Sequence, residues 1–187
     1  MTGEHRATPP RHDPPRHVVV MGVSGAGKTT VARGISDLTG LTFAEADEFH
    51  SEANVARMRS GVPLDDDARW PWLRALADWM ASRDAEGVST VLACSALKRS
   101  YREVLREGPP TVDFLHLDGT AEIIRERMSQ RAGHYMPASL LDSQLAILER
   151  FGSGEPGLVL DLALPPAALV STAVDRLGLL RRDVLAT

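Results

Sequence analysis

The sequence predicts an α/β fold, a parallel sheet of about five strands with helices on both faces. Three observations carry this reading. Short apolar, β-branched runs such as His17-Val-Val-Val-Met lack the alternation of a half-exposed strand, as strands buried on both faces do. These runs are followed by stretches with apolar residues at helical spacing. A glycine-rich turn from Gly22 to Thr29 joins the first run to the first such stretch.

Taken in order, residues 17–22 form the first strand, and 28–38 the first helix with Gly40 as its stop. Residues 41–47 are the second strand, and 54–60 a short helix ended by Gly61. The acidic run Asp65-Asp66-Asp67 precedes a helix over 69–83, where negative charge suits the helix dipole and Pro71 fits a first turn. Trp70, Leu73, Ala77 and Met80 recur there at helical spacing. Residues 89–95 are a third strand with a helix over 98–106, and 112–117 a fourth, after which Thr120 caps a helix reaching about Arg131. A helix over 138–150, a fifth strand over 158–162 and a helix over 165–179 close the chain. The alternation implies right-handed crossovers.

The 187 residues fit one domain, and 43% apolar with 25% charged residues is ordinary for a globular protein. A net charge of −4 gives no electrostatic footprint for nucleic acid. No apolar run reaches the roughly 18 residues of a membrane span. The single cysteine, Cys94, excludes an intramolecular disulfide and points to a reducing, cytoplasmic compartment, with Cys94 itself a small core residue. Residues 1–16 hold four prolines and no apolar pattern, so they read as a disordered extension ahead of a domain over 17–187.

Gly22-Val-Ser-Gly-Ala-Gly-Lys28-Thr29 satisfies the phosphate-binding loop pattern with a strand before it and a helix after it. The chain is therefore predicted to be a P-loop NTPase, a three-layer sandwich binding a nucleotide through Gly22, Ser24, Gly25, Ala26, Gly27, Lys28, Thr29 and Thr30. Glycines let several N–H groups face one anion, Lys28 reaches the outer phosphates, and the Thr29 hydroxyl can ligand Mg²⁺. The loop alone leaves open a kinase, a GTPase or a non-catalytic nucleotide switch.

The acceptor side is read from what surrounds this loop. Glu45 and Asp47 end the second strand, and alternation puts them on one side of it. Such carboxylates can orient an acceptor hydroxyl, take its proton, or hold the waters of Mg²⁺. No acid follows the third strand, so Glu45 and Asp47 are the candidates to support the metal in its place. Arg57, Arg69 and Lys98 supply cations suited to a carboxylate or phosphate. Arg127 and Arg131, four apart on one helix face, precede a lid at about 131–138 and are placed to neutralise a transferring phosphoryl.

Five blocks, in this order, resemble the gluconate kinases (gluconokinases) of the adenylate-kinase-like P-loop group. They are the phosphate loop, Glu45-Ala-Asp-Glu-Phe-His-Ser-Glu-Ala-Asn54, the stretch from Met58 to Leu73, Cys94-Ser-Ala-Leu-Lys-Arg-Ser-Tyr-Arg102, and Arg131-Ala-Gly-His-Tyr-Met-Pro137 trailed by Leu141-Asp-Ser-Gln144. The resemblance implies ATP, Mg²⁺, phosphorylation of gluconate at its terminal hydroxyl, and a homodimer. It implies catalytic roles for Lys28, Asp47, Arg127 and Arg131, and acceptor contacts from Asp47, Arg57, Arg69, Lys98 and His134. Shikimate or another aldonic acid is the alternative acceptor. The chain departs from the usual family pattern at Glu45 and Ala68, where Asp is common, and at Ser51, where Pro is common.

Overall fold

The computed structural model describes residues 12–60, 62–129 and 138–181. Five strands form one sheet: β1 (His17–Met21), β2 (Thr42–Glu45), β3 (Thr90–Ala93), β4 (Val112–Asp118) and β5 (Leu158–Asp161). Their order is β2-β3-β1-β4-β5, every pair parallel. The helices are α1 (Lys28–Thr39), α2 (Glu52–Arg59), α3 (Asp66–Ala85), α4 (Arg99–Arg106), α5 (Ala121–Ser129), α6 (Ala138–Ile147) and α7 (Pro166–Arg176).

Alternation along β1 explains the three layers. Val18 and Val20 face a core shared with Val31 and Ile35 of α1 and Leu169 and Ala173 of α7. Val19 and Met21 face a second core with Leu73, Leu76 and Met80 of α3 and Leu105 of α4. The central strand is fully buried, as its unbroken apolar run predicts, whereas edge strand β5 alternates and leaves Val159 exposed. Cys94 lies in the second core, and burial pushes its thiol up to about 12, so it is a packing residue.

Several elements differ from the sequence expectation, each for a local reason. β2 stops at Glu45, and residues Ala46–Phe49 form a 3₁₀ turn. The Ala46 carbonyl accepts a 2.7 Å hydrogen bond from the Trp72 indole, which pulls the chain out of the strand. Asp47 is therefore on a turn, and strand alternation does not relate it to Glu45. α3 begins at Asp66 because the Asp65 carboxylate caps the Ala68 N–H at 2.9 Å. Pro71 then lies beyond the first turn, and the helix forgoes the bond its nitrogen would have donated to Asp67. α6 ends at Ile147 because the Glu149 N–H turns away to the Leu97 carbonyl, 2.8 Å. Contacts also begin ahead of the boundary expected at His17. Arg16 pairs with Asp113 at 2.5 Å and donates to the Leu177 carbonyl at 3.0 Å. The remainder of the expected extension, residues 1–11, lies outside the described residues.

A buried ion pair ties the segment after α6 to α4. Arg102 of α4 and Glu155 have side chains 0% and 2% exposed, and their forks meet at 2.5 and 2.8 Å. The remaining guanidinium donor reaches the carbonyls of Ala96, Leu97 and Glu149 at 3.2, 3.3 and 3.0 Å. The carboxyl of Glu155 is accordingly held down at about 2, chiefly by its hydrogen bonds from Arg102. This depressed value makes its contribution complete above the ordinary carboxyl range and lost as pH falls from about 4.5 toward 2. Glu155→Gln strands the buried guanidinium charge, and urea titration at neutral pH is expected to show a loss of about 3–5 kcal/mol. The difference between wild type and variant should shrink as the titration is repeated at falling pH. A loss that stays constant down to pH about 3 would contradict the linkage.

Candidate active site

The phosphate loop leaves β1 at the centre of the carboxyl edge and closes into α1 through Gly27, whose φ is 89°. Gly22 (φ 143°) and Gly25 (φ 84°) hold backbone angles that side chains rarely adopt. A Cβ at Gly22 would also meet the Leu117 carbonyl at 2.9 Å, and one at Gly25 would strike Met128 of α5. The missing Cβ atoms let the loop lie this close to β4 and α5. Lys28 extends over the loop, donating to the Val23 carbonyl at 3.1 Å. The Thr29 hydroxyl donates to Glu45 Oε2 at 2.9 Å. Burial pushes the Glu45 carboxyl up, while that hydroxyl bond opposes the shift.

Thr29 and Glu45 are thus joined as the expected metal pair, and both present hard oxygen ligands, which fit Mg²⁺. Among the described residues no group of three or more His, Cys, Asp or Glu could hold a metal alone. Such a donor set suits an ion that keeps waters and takes the rest of its shell from phosphates.

Asp47 sits on the turn after β2 with its side chain 81% exposed. The turn beneath it is held by aromatic packing. His50 stacks on Trp72 with ring centroids 4.3 Å apart, Phe49 packs edge-on against Trp79, and Trp72 holds the Ala46 carbonyl. His50 Nε2 lies 4.0 Å from Asp47 Oδ1, and desolvation holds this imidazole below its ordinary value. Asp47 thus presents an open carboxylate from a fixed platform.

Arg69 and Lys98 converge, as the sequence suggested, through a residue that sequence reasoning had used only as a helix-start charge. Asp66 accepts from Lys98 Nζ at 2.7 Å and from the Tyr101 hydroxyl at 2.5 Å, with Arg69 Nη1 at 3.4 Å. Arg69 Nη1 also donates to the Tyr101 hydroxyl oxygen at 2.9 Å. Arg57 stands apart from this group, paired with Asp65 at 3.1 Å. Of the unusual residues, Ser51 caps α2 with its side chain, whereas Ala68 makes only backbone hydrogen bonds. The Ser51 hydroxyl accepts from Asn54 N–H at 3.3 Å, and Ala68 offers its carbonyl to the Asn54 amide at 3.0 Å.

Arg127 lies on the other side of the loop. Its guanidinium donates to the Leu162 and Leu164 carbonyls and borders a cleft of about 340 Å³ lined by Gly25, Gly27, Thr30, Val31, Pro166 and Leu169. Arg131 and His134, with most of the expected lid, lie outside the described residues. Gln144 of α6 is a contact that sequence reasoning missed. Its carboxamide oxygen accepts from the Ser24 N–H at 2.7 Å, and its nitrogen donates to Ser24 Oγ at 3.0 Å. No local pattern announces a residue 120 positions away from the one it binds.

Residues 18–151 match the family model described as an AAA domain. The chain is similar to the gluconokinase of Gluconobacter oxydans, 51% identical over 142 residues that span 76% of this chain and 80% of that protein. It is also similar to the thermosensitive gluconokinase of Escherichia coli, 43% identical over 141 residues, 75% of either chain. Among solved structures, a sugar kinase from a Janibacter species superposes with a TM-score of 0.84 at 64% identity, covering 89% of this chain and 96% of that one. A gluconokinase from Sinorhizobium meliloti superposes with a TM-score of 0.81 at 43% identity, covering 88% and 93%.

The Gln144 carboxamide oxygen takes a phosphate-loop N–H that an anion would otherwise use. Gln144→Ala removes that competitor. The variant is expected to bind ADP about two- to tenfold more tightly by titration calorimetry, the worth of one neutral hydrogen bond. Weaker binding would show that the carboxamide supports the loop instead.

Proposed function

The chain belongs to the gluconokinase family of P-loop kinases, and we propose that its residues perform the family reaction as follows. It transfers the γ-phosphoryl group of ATP to the terminal hydroxyl of D-gluconate, giving 6-phospho-D-gluconate and ADP. The observation that supports this best is the pairing, along one carboxyl edge of the sheet, of a complete phosphate loop with acceptor-side cations. The loop serves the donor, and Arg69 and Lys98 serve an anionic acceptor.

In this reading the N–H groups from Gly22 to Thr30 cradle the phosphates, with Ser24, Gly25, Ala26 and Gly27 forming the cradle and α1 adding its positive end. Lys28 neutralises charge on the outer phosphates. The cleft beside Arg127 receives the nucleoside, with Arg127 at the border between base and phosphates. Thr29 and Glu45 would hold Mg²⁺ directly or through its waters. That ion would offset triphosphate charge when bound. Asp47 accepts the hydrogen bond of the acceptor hydroxyl and then its proton. The hydroxyl oxygen forms its bond to the γ-phosphorus as the bond to the bridging oxygen breaks and ADP leaves with the electron pair. Arg57, Arg69, Lys98 and His134 surround the sugar acid, and Arg131 closes with residues 131–138 as a lid. The kinase domain spans 17–187, with Arg16 just ahead of it already tied to Asp113 and the Leu177 carbonyl. The enzyme works as a homodimer in the cytoplasm, without nucleic acid or membrane partners. The single cysteine and the net charge of −4 support that setting, and no helix among the described residues is long and apolar enough to cross a membrane.

The test is coupled ADP release with ATP and Mg²⁺ across gluconate, other aldonic acids, shikimate and nucleoside monophosphates. Turnover confined to gluconate is expected. Turnover confined to another carboxylate would move the substrate and direct attention to Glu45 and Ala68, while ATP hydrolysis indifferent to every acceptor would favour a nucleotide switch.

Asp47→Asn keeps the turn and removes the base. It is expected to lower kcat by about a hundredfold, with KM for ATP within about twofold of wild type. An unchanged kcat would assign proton removal to solvent.

A further inference from the structure

Three donors from two helices meet on the Asp66 carboxylate, and this arrangement has a consequence for Arg69. Among the described residues, every side-chain hydrogen bond of Arg69 goes through Nη1, to Asp66 at 3.4 Å and to the Tyr101 hydroxyl at 2.9 Å. The opposite edge of the guanidinium, Nε with Nη2, makes none. That edge is a planar two-donor fork matching a carboxylate. Lys98 donates one proton to Asp66 at 2.7 Å, and an ammonium carries three.

The orientation is enforced rather than incidental. Asp66 opens α3 directly after its Asp65 cap, where the helix dipole favours an anion. Lys98 is the residue before α4, and Tyr101 lies one turn into it with only 3% of its surface exposed. The Tyr101 ring packs edge-on against Trp70 at 5.5 Å and lies beneath both cations, 5.6 Å from Arg69 and 5.4 Å from Lys98. Asp66 therefore joins the first turns of α3 and α4 and fixes both cations relative to one aromatic ring. With two cations and one anion, the group keeps a net charge of +1, which one acceptor carboxylate neutralises. Without Asp66, two long cationic side chains would repel each other and lose a common direction.

We propose that Asp66, acting with the Tyr101 hydroxyl, is the positioning residue of the acceptor site. It occupies the Nη1 side of Arg69 and one proton of Lys98 so that the Nε–Nη2 edge and the remaining ammonium protons face the acceptor's carboxylate. This deepens the kinase reading above and rests on its placement of Arg69 and Lys98 at the acceptor.

Asp66→Asn, Asp66→Glu and Tyr101→Phe are compared with wild type in steady-state assays varying ATP and gluconate separately, with thermal midpoints recorded for each. Asp66→Asn is expected to raise KM for gluconate about tenfold or more while KM for ATP stays within about twofold. Asp66→Glu should recover part of that loss, and Tyr101→Phe, which keeps the ring and the packing, should raise KM for gluconate about threefold. Gluconate and ATP constants that worsen together in Tyr101→Phe, or a gluconate KM unchanged in Asp66→Asn, would overturn the proposal. Wild-type turnover on gluconate is the separate test of the kinase reading. Were another carboxylate the true acceptor, the same series run on it would still decide the role of Asp66.

Discussion

β1 is paired in parallel on both sides, His17 level with Thr90 of β3 and with Val112 of β4, and Val20 level with Ala93 and Leu115. That register brings the carboxyl ends of three strands to one line. Pairing continues past the strands themselves, with Cys94 N–H to the Val20 carbonyl at 3.1 Å and Gly22 N–H to the Ser95 carbonyl at 3.3 Å. The phosphate loop is thereby anchored at its first residue to the segment that carries Lys98. A parallel sheet places its crossovers on its faces and its ligands beyond the strand ends. Donor and acceptor chemistry then meet at this edge, because the phosphate loop and the segments bearing Glu45 and Lys98 come off strands aligned by the same ladder.

The two faces of the sheet are divided by task. α1, α5 and α7 pack on the face that borders the nucleotide cleft, through Ile35, Ile124 and Leu169. α3 and α4 pack on the other, through Leu73, Leu76 and Leu105, and their first turns carry Asp66, Arg69 and Lys98. The apolar packing of each layer therefore sets where its polar ends lie. Arg102 extends this logic. Its side chain is fully buried, and it donates to Glu155, to the Ala96 and Leu97 carbonyls in the loop that follows β3, and to the Glu149 carbonyl after α6. The same pairing holds the residues after α6 in place. The helix bearing Gln144 is thus connected to the acceptor layer by a charge pair and to the phosphate loop by a carboxamide.

Much of the fold was legible in the sequence because its strands are buried on both faces and its helices obey a 3.6-residue period. The five strands, their alternation with helices and the phosphate loop all follow from that pattern and from the glycines between β1 and α1. The misreadings share one cause. β2 was read through Asp47, the third helix was started at residue 69 and the sixth was run to residue 150. In each case a hydrogen bond that the apolar pattern does not show decided the boundary: Trp72 N–H to the Ala46 carbonyl, Ala68 N–H to the Asp65 carboxylate, and Glu149 N–H to the Leu97 carbonyl.

For the site, the sequence alone determined the residue types that phosphoryl transfer needs: a lysine and threonine at the loop, acids after the second strand, and cations downstream. These are written in local patterns, and local patterns reflect short-range physics. Tertiary structure decided how they are combined. Thr29 meets Glu45 across 16 residues, Lys98 meets Asp66 and Arg69 meets Tyr101 each across 32, and Ser24 meets Gln144 across 120. A carboxylate at the head of a helix reads as a capping charge until the fold brings another helix's lysine and tyrosine onto it. Which cation is oriented and which is merely solvated is set by those long-range contacts, because a charge acquires a direction only from the partners that hold it.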